Sequence, residues 1–382
     1  MAKSDAQKMM AKLMKLDGAV QRDYDPYMNV LRCPSPSFNF TFGNSWGLPL
    51  GYTLAIWGPP KGGKSVVINS MIGQMHRDYP DAYAIKFNTE MRELVQLTDR
   101  QMDVWGIDRD RYIAYETNRA SGVFDVIEKN IAEAVEGGMN VKMVAIDSLN
   151  SIMGRRTENA NTVDQQQIGD KAQTYGDGLA RILPTLRKYR IGLVLSLQQR
   201  QEMDQHEIKR GHIHKMAGAN AVQHFAEYFM YIAPDKTKKG RQDLLENDLV
   251  NKQVSDLKDK AEQTAHRIYV NMRDSSVGPK GRWGGFIFSD KEGIVNTHEE
   301  VFLLGTNRGV IERPNQLTYS FNGNNWAGKK NMIEELRKNP DLCSAILTKL
   351  REMDIGGGAD DIGGEDVPQG IVNPGAEGEG EV

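Results

Sequence analysis

Short, nearly continuous apolar runs alternate with helix-length amphipathic segments through the middle of the chain. The apolar runs predict four strands, at residues 52–57, 82–88, 141–147 and 191–197. Strands that are apolar along their whole length are typical of parallel sheets covered by helices on both faces. Segments of helical periodicity, such as residues 124–138 and 175–189, separate the strands and complete βαβ units. The pattern therefore predicts an α/β core with a mostly parallel central sheet.

Other patterns flank this core. Residues 4–17 predict a detached amphipathic helix whose apolar stripe needs another surface to cover it. Three later strands are predicted at residues 222–232, 265–272 and 284–290, and the charged stretch 235–262 interrupts them as an exposed excursion. A compact helical module follows, and the Gly-rich, acidic remainder of the chain is expected to be disordered.

The composition is that of a globular protein, with 39% hydrophobic residues in a chain of 382. No apolar stretch approaches the roughly 20 residues that a membrane span needs, and the N-terminus lacks the apolar centre of a signal peptide. We therefore expect a cytoplasmic protein without a membrane partner. Cys33 and Cys343 have no ligand-like neighbours, which predicts ordinary reduced thiols.

Charge is distributed unevenly along the chain. The formal net charge is −3, but residues 352–382 contain nine acidic residues and no Lys or Arg, so the rest of the chain carries +6. A basic body with an acidic tail is compatible with nucleic-acid binding in which the tail competes for the same surface. The alternative is a tail that only improves solubility, and charge alone favours it.

A complete phosphate-loop motif, G-x-x-x-x-G-K-[ST], directly follows the first predicted strand. In such a loop the glycines let backbone N–H groups surround phosphate oxygens, the lysine reaches the β- and γ-phosphates, and the hydroxyl binds Mg²⁺. The apolar segment that follows predicts a helix whose N-terminus would face the triphosphate. The residues expected to bind nucleotide are Gly58, Pro59, Pro60, Lys61, Gly62, Gly63, Lys64, Ser65 and Val66, with Ser65 also binding the metal.

Three polar residues end later strands and should lie at the same edge of the sheet. Asp147 ends a strand about 80 residues after the phosphate loop, where a carboxylate can support Mg²⁺. Glu90 follows the strand at 82–88 and either activates the attacking water or caps the next helix, and its position alone does not decide between the two. Gln198 ends the strand at 191–197, where an amide can sense a γ-phosphate.

Two long polar segments, residues 150–167 and 199–217, also follow strands at this edge. They contain six basic residues, which are Arg155, Arg156, Arg200, Lys209, Arg210 and Lys215. Together the two segments predict a surface for phosphate backbones, although a solvated charged surface is the commoner explanation for either alone. His212 and His214 lack a third ligand and are interpreted as polar loop residues.

The order of these motifs resembles that of the RecA-type strand-exchange recombinases, and most closely that of the UvsX-like branch in T4-type bacteriophages. The shared landmarks are GLPLG (47–51), GPPKGGKS (58–65), Glu90, WGID (105–108), VAIDS (144–148), the strand ending near Gln198, and GANAVQHFAE (218–227). Segment 319–353, which begins YSFNGNNWAGKK, is similar to the C-terminal module of the family. The resemblance covers roughly residues 40–353.

The resemblance implies a RecA-like P-loop ATPase core over residues 40–300, preceded by a polymerisation helix and linker (1–39). A small α+β module (301–353) and a disordered acidic tail (354–382) would follow. The implied activity is that of a DNA-dependent ATPase that uses ATP and Mg²⁺. It would form helical filaments on single-stranded DNA and pair them with homologous double-stranded DNA in recombination, repair and recombination-dependent replication. Single-strand-binding and loader proteins are expected partners, in the cytoplasm of a host cell.

The resemblance also implies residue roles. Glu90 becomes the general base, Lys64 a phosphate ligand, Gln198 the switch between the γ-phosphate and DNA affinity, and the two basic loops the DNA-binding loops. Arg273 is expected to reach the neighbouring subunit's nucleotide. Ser275 stands about where a second such basic residue is expected, so Lys280 and Arg282 are proposed instead. Gln101 falls about where an aromatic residue commonly packs on adenine.

Two other function classes share such a core. A hexameric RecA-fold DNA helicase would need a larger N-terminal domain than the roughly 40 residues that precede the core. An ATP-dependent regulatory switch protein would not need the two basic loops or the C-terminal module.

Overall fold

The computed structural model of the protein describes residues 29–158, 169–201, 203, 205–206, 214–235 and 265–356, together with residues 9 and 12. Apart from residues 9 and 12, the predicted N-terminal helix lies outside the described residues, as do nearly all of segment 235–262 and the chain beyond residue 356. Within the described ranges, no helix is long and apolar enough to cross a membrane.

A short N-terminal region precedes the core. It contains an antiparallel pair of two-residue strands, β1 (Val30–Leu31) and β2 (Leu48–Pro49), and the helix α1 (Pro36–Phe40). The Ser35 hydroxyl accepts a hydrogen bond from the backbone N–H of Phe38 and so caps α1.

The core is built on one large sheet that has ten strands in the described part of the chain. They are β3 (Thr53–Gly58), β4 (Tyr83–Asn88), β5 (Tyr112–Glu116), β6 (Val141–Asp147), β7 (Gly192–Gln201), β8 (His214–Met216), β9 (Tyr228–Pro234), β10 (Ala265–Ser275), β11 (Trp283–Ser289) and β12 (Gly293–Val295). The order across the sheet is β12-β11-β10-β9-β3-β7-β6-β4-β5, and β8 pairs with the end of β7. Neighbours from β9 to β5 are parallel, whereas β10 to β12 add an antiparallel edge.

Helices cover both faces of this sheet. The core helices are α2 (Lys64–Asp78), α3 (Glu93–Gln96), α4 (Asp99–Trp105), a π-helical segment (Ser121–Ile131) that continues as α5 (Ala132–Glu136), α6 (Arg155–Glu158), α7 (Asp170–Lys188) and α8 (Ala219–Val222). Apolar residues of α2 join one buried cluster, while the π-helical segment and α7 join another that packs on the strands from the opposite face. Because both faces are covered, the central strands are largely apolar, and the predicted α/β class with a mostly parallel sheet is confirmed.

The C-terminal module combines helices with a small antiparallel sheet. Its elements are α9 (Thr297–Asn307), β13 (Glu312–Asn315), β14 (Thr318–Phe321), β15 (Asn324–Ala327), α10 (Lys329–Lys338) and α11 (Pro340–Gly356). Except for the exposed strand β13, these elements share a separate apolar cluster with Phe40 and Trp46 of the N-terminal region. The module therefore packs on the segment that leads into the core.

Helix α11 extends beyond the boundary predicted at residue 354. Asp354 is buried, and its carboxylate accepts hydrogen bonds from Trp46 Nε1 at 2.8 Å, from Arg282 at 2.9 Å and from Arg308 at 3.0 Å. The sequence places Asp354 at the start of an acidic, Gly-rich stretch. Its partners are remote in the chain, so nothing local distinguishes it from the acidic residues that follow.

Candidate nucleotide-binding site

The phosphate-loop motif connects β3 to α2. Gly63 has φ +97°, a left-handed conformation that favours glycine, and a Cβ there would lie 2.6 Å from Cδ1 of Ile268. At Gly58 a Cβ would lie 1.9 Å from the carbonyl oxygen of Ile232. The first N–H groups of a helix have no carbonyl partner within it, so those of residues 64–66 are donors for an anion. The loop thus has the backbone that a phosphate cradle needs.

The Lys64 side chain lies over this loop. Its ammonium donates hydrogen bonds to the carbonyl oxygens of Gly58 at 3.1 Å and Pro59 at 2.8 Å. Burial lowers the pKa of Lys64, whereas the charges of Asp147 and Glu90 act in the opposite direction. A phosphate oxygen would supply the negative charge that the two carbonyl groups lack.

Ser65 and Asp147, which the sequence assigns to the metal, are in direct contact. Ser65 Oγ donates a hydrogen bond to Asp147 Oδ2 at 2.7 Å, and Ser196 Oγ donates to Oδ1 at 2.5 Å. Ser196 is fully buried in β7 and orients the carboxylate. Sequence reasoning missed Ser196, because a serine within an apolar strand gives no signal of its own.

The donor set at Ser65 and Asp147 fits Mg²⁺ in a nucleotide site. Among the described residues, no group of three or more His, Cys, Asp or Glu side chains could hold a metal. Mg²⁺ in such sites takes one or two protein oxygens and completes its shell with phosphate oxygens and water. A hydroxyl beside a carboxylate is sufficient for that role.

Glu90 lies in the turn after β4, next to the end of β6. Asn88 of β4 is in register with Asp147 of β6, and the Ser148 hydroxyl donates a hydrogen bond to Glu90 Oε1 at 3.1 Å. Helix α3 has Arg92 as its N-cap residue and no side-chain capping hydrogen bond, and the Glu90 carboxylate lies 3.8 Å from the Arg92 guanidinium. A half-exposed carboxylate at this edge of the sheet is positioned to accept a proton from water.

Gln198 lies beside the phosphate loop and is joined to both polar loops. It pairs in register with Gly58 across β3 and β7. Its backbone N–H donates to Asn150 Oδ1 at 2.7 Å, and the Asn150 amide donates to the carbonyl of Ala217 at 3.2 Å. Asn150 therefore connects the start of the first loop to both ends of the second. Nothing in its local sequence marked it for this role.

The six predicted DNA-contacting residues differ in their surroundings. Arg200 and Lys215 are cross-strand partners where β7 pairs with β8, so the described ends of the second loop form a short ribbon with two cations opposite each other. In α6, Arg155 lies 3.7 Å from Asp125, and the backbone N–H of Arg156 donates to Asp170. Lys209 and Arg210 lie outside the described residues.

The residues proposed for contact with a neighbouring subunit lie on or beside β10 and β11. The Arg273 guanidinium lies 5.3 Å from the ring centre of Tyr231, and the exposed Lys280 ammonium lies 2.5 Å from Asp274. Arg282 instead pairs with the buried Asp354 of its own chain, which makes it a poor substitute for a cross-subunit cation.

Gln101 has a local structural role. Its side-chain oxygen accepts a hydrogen bond from the backbone N–H of Thr98 at 2.9 Å and so caps α4. The nearby Trp105 is largely buried and stacks on Phe288. Neither contact identifies a residue that packs on a base.

Comparison with known proteins adds the following. No protein-family model matches the chain. It is 23% identical to the RecA protein of Oleidesulfovibrio alaskensis over 336 residues, which cover 86% of this chain and 84% of that protein. It is 23% identical to the RecA protein of Nostoc punctiforme, covering 88% and 84%, and 22% identical to that of Wolbachia pipientis, covering 80% and 77%. This similarity over most of the length, together with the α/β architecture, supports a RecA-like core and a RecA-type recombinase.

Proposed function

We propose that the protein is a DNA-dependent ATPase that forms filaments on single-stranded DNA and catalyses homologous pairing and strand exchange. The observation that carries this proposal beyond nucleotide binding is the Asn150 junction. It ties Gln198, the neighbour of the phosphate loop in the sheet, to both basic loops. A change at the γ-phosphate would therefore reach the DNA-contacting segments through two hydrogen bonds.

Hydrolysis would proceed by in-line attack of water on the γ-phosphate. Glu90 would accept the proton of the attacking water, and the Ser148 hydroxyl would hold its carboxylate in place. Lys64 and the N–H groups at the start of α2 would bind the phosphate oxygens, and Lys64 would offset the charge that develops on the leaving diphosphate. Mg²⁺, held by Ser65 and Asp147, would supply further charge neutralisation.

DNA binding would use the cations of both loops, which are Arg155, Arg156, Arg200, Lys209, Arg210 and Lys215. Cations opposite each other on a strand pair, as at Arg200 and Lys215, suit a phosphate backbone that passes over them. Arg273 and Lys280 would act on the nucleotide of the adjacent subunit, since both have charged heads near the protein surface. In this proposal ATP binds between filament neighbours.

We also propose, from its sequence motifs, that the chain belongs to the UvsX-like branch found in T4-type bacteriophages. The protein would then act in the cytoplasm of the infected host, with single-strand-binding and loader proteins as partners. The support for this finer assignment is the order of motifs and the segment 319–353.

The proposal is tested by ATP hydrolysis measured with and without single-stranded DNA, for the wild type and Lys64→Ala. We expect DNA to stimulate the wild type and the variant to lose hydrolysis, because Lys64 is the cation of the phosphate loop. Normal hydrolysis by the variant would refute the site. If DNA does not change the rate of ATP hydrolysis by the wild type, an ATP-dependent switch protein is favoured. Closed rings in electron micrographs would favour a helicase.

A further inference from the structure

A buried ion pair lies directly behind the Glu90 turn. Lys86, in the middle of β4, is fully buried, and its ammonium lies 3.0 Å from the buried carboxylate of Glu93 at the start of α3. Lys and Glu are almost never fully buried unless they are paired. Since a well-packed apolar pair of similar volume is often as stable or more stable, stability alone is weak grounds for burying these charges.

Both charges are satisfied by further polar groups. Lys86 donates to Asn69 Oδ1 in α2 at 3.1 Å, and the Tyr112 hydroxyl of β5 donates to Glu93 Oε1. Burial pushes the pKa of Glu93 upward, but Lys86, Tyr112 and Asn88 together hold it below its usual value. The pair is thus a charged, hydrogen-bonded cluster that connects the helix of the phosphate loop to two strands.

Asn88 connects this cluster to the Glu90 turn. Its amide donates to Glu93 Oε2 at 2.8 Å, while its carbonyl oxygen accepts from the backbone N–H of Glu90 at 3.1 Å and of Arg92 at 3.4 Å. The residue between them, Met91, has φ +55°, a conformation that a non-glycine residue adopts only when its surroundings impose it.

The turn has little apolar packing of its own. Met91 is 52% exposed and Leu94 is 82% exposed, whereas Asn88 is 1% exposed. Thr89 holds the start of the turn, because its N–H donates to the carbonyl of Asp147 at 2.9 Å. After Thr89, the Asn88 side chain holds the backbone N–H of Glu90. The Glu93 carboxylate in turn holds the Asn88 side-chain amide.

We propose that Asn88 and Glu93 are positioning residues that fix the Glu90 carboxylate for attack by water, with Lys86 and Tyr112 holding Glu93. This inference rests on the proposed role of Glu90 as general base. It predicts that cutting the network slows the chemical step without weakening ATP binding, because none of these side chains is in the phosphate loop.

The test is single-turnover ATP hydrolysis by Asn88→Ala, alone and combined with Glu90→Gln. Alone, we expect a loss of about 10-fold or more in the rate of hydrolysis, with ATP affinity within about twofold of wild type. Combined with Glu90→Gln, it should cost nothing further, because the residue that it positions is gone. An equal loss in both backgrounds would overturn the proposal, as would a change confined to ATP affinity.

Asn39→Ala is a matched control. Asn39 is also a buried asparagine that ties backbone groups, accepting from the N–H of Cys33 at 2.9 Å and donating to its carbonyl at 2.8 Å, but in the N-terminal region. It should lower thermal stability and leave the hydrolysis rate within about twofold of wild type. A rate loss as large as that of Asn88→Ala would assign the effect to stability and overturn the proposal.

A second variant covers the case in which Asn88→Ala does not fold. Asn88→Ser keeps a small polar group at this site but is too short to join Glu93 to the Glu90 N–H, and the same comparison in the Glu90→Gln background applies. If Glu90→Gln alone hydrolyses ATP normally, the role of Glu90 as general base is wrong. That outcome differs from a failure of the network, in which Glu90→Gln is slow and Asn88 variants are not.

Discussion

Replacing Asp354 by alanine should destabilise the protein, although the sequence places this residue at the start of a tail. One carboxylate, with 1% of its side chain exposed, accepts four hydrogen bonds from Trp46, Arg282 and Arg308. Both guanidinium groups also lie over the Phe40 ring, at 4.5 Å and 5.8 Å from its centre. Removing the carboxylate takes away the counter-charge that Arg282 and Arg308 share.

The size of the effect follows from burial. Removing one partner of a buried ion pair costs about 3–5 kcal/mol. The side chains of Arg282 and Arg308 are 16% and 20% exposed, so water can reach them in part and the lower end applies. With an unfolding entropy of about 2 cal/mol/K per residue, a loss of about 3 kcal/mol lowers the Tm of a chain of this length by about 4 °C.

Thermal unfolding of Asp354→Ala measures this effect, with Glu334→Ala as the control. Glu334 pairs with Arg337 and Lys338 on an exposed face of α10, where an ion pair contributes about 0.5 kcal/mol or less. Two truncations sharpen the comparison: a chain that ends at Gly356 should keep the wild-type Tm, and one that ends at Met353 should lose about 4 °C. If the two truncated chains had equal Tm values, or if the two substituted chains did, the role of Asp354 would be refuted.

The remaining predictions concern pH and the acidic tail. Burial raises the pKa of Glu300 from its usual 4.5 to about 7. The folded protein then keeps a proton that the unfolded chain releases, so stability should fall by up to about 3 kcal/mol as the pH rises from about 4.5 to about 7. The stability of Glu300→Gln, measured by urea titration at each pH, should lack this fall. If the wild type and the variant showed the same pH dependence, the raised pKa of Glu300 would be contradicted. Deleting residues 357–382, which leaves Asp354 in place, should strengthen binding to single-stranded DNA, most at low salt; unchanged binding would favour a solubilising tail.

The sequence predicts those site residues whose position follows from a short motif or from the end of an apolar strand. The phosphate loop has a fixed spacing, and Asp147 and Gln198 end apolar strands, so their meeting at one sheet edge follows from the parallel sheet. The contact between Ser65 and Asp147 is the direct result. The capping alternative for Glu90, which position alone left open, is not the contact that the fold makes.

Residues whose roles depend on distant partners could not be predicted in this way. Ser196 and Asn150 are ordinary in their local sequence, and only the pairing of β6 with β7 and the turn after β6 bring them to Asp147 and Gln198. Lys86 interrupts an apolar strand, which is a signal of an unusual buried charge, but its partner Glu93 cannot be identified from spacing alone. The same applies to Asp354, whose partners lie in three other parts of the chain.

The central claim, that ATP use at this site drives homologous pairing of DNA, is tested most directly by D-loop formation. The assay combines the protein, ATP, Mg²⁺, a labelled single strand and a supercoiled duplex that is either homologous or unrelated. We expect a joint molecule with the homologous duplex only, and none with Lys64→Ala. Hydrolysis stimulated by DNA without any joint molecule would contradict the recombinase assignment, and so would joint molecules that form equally with the unrelated duplex.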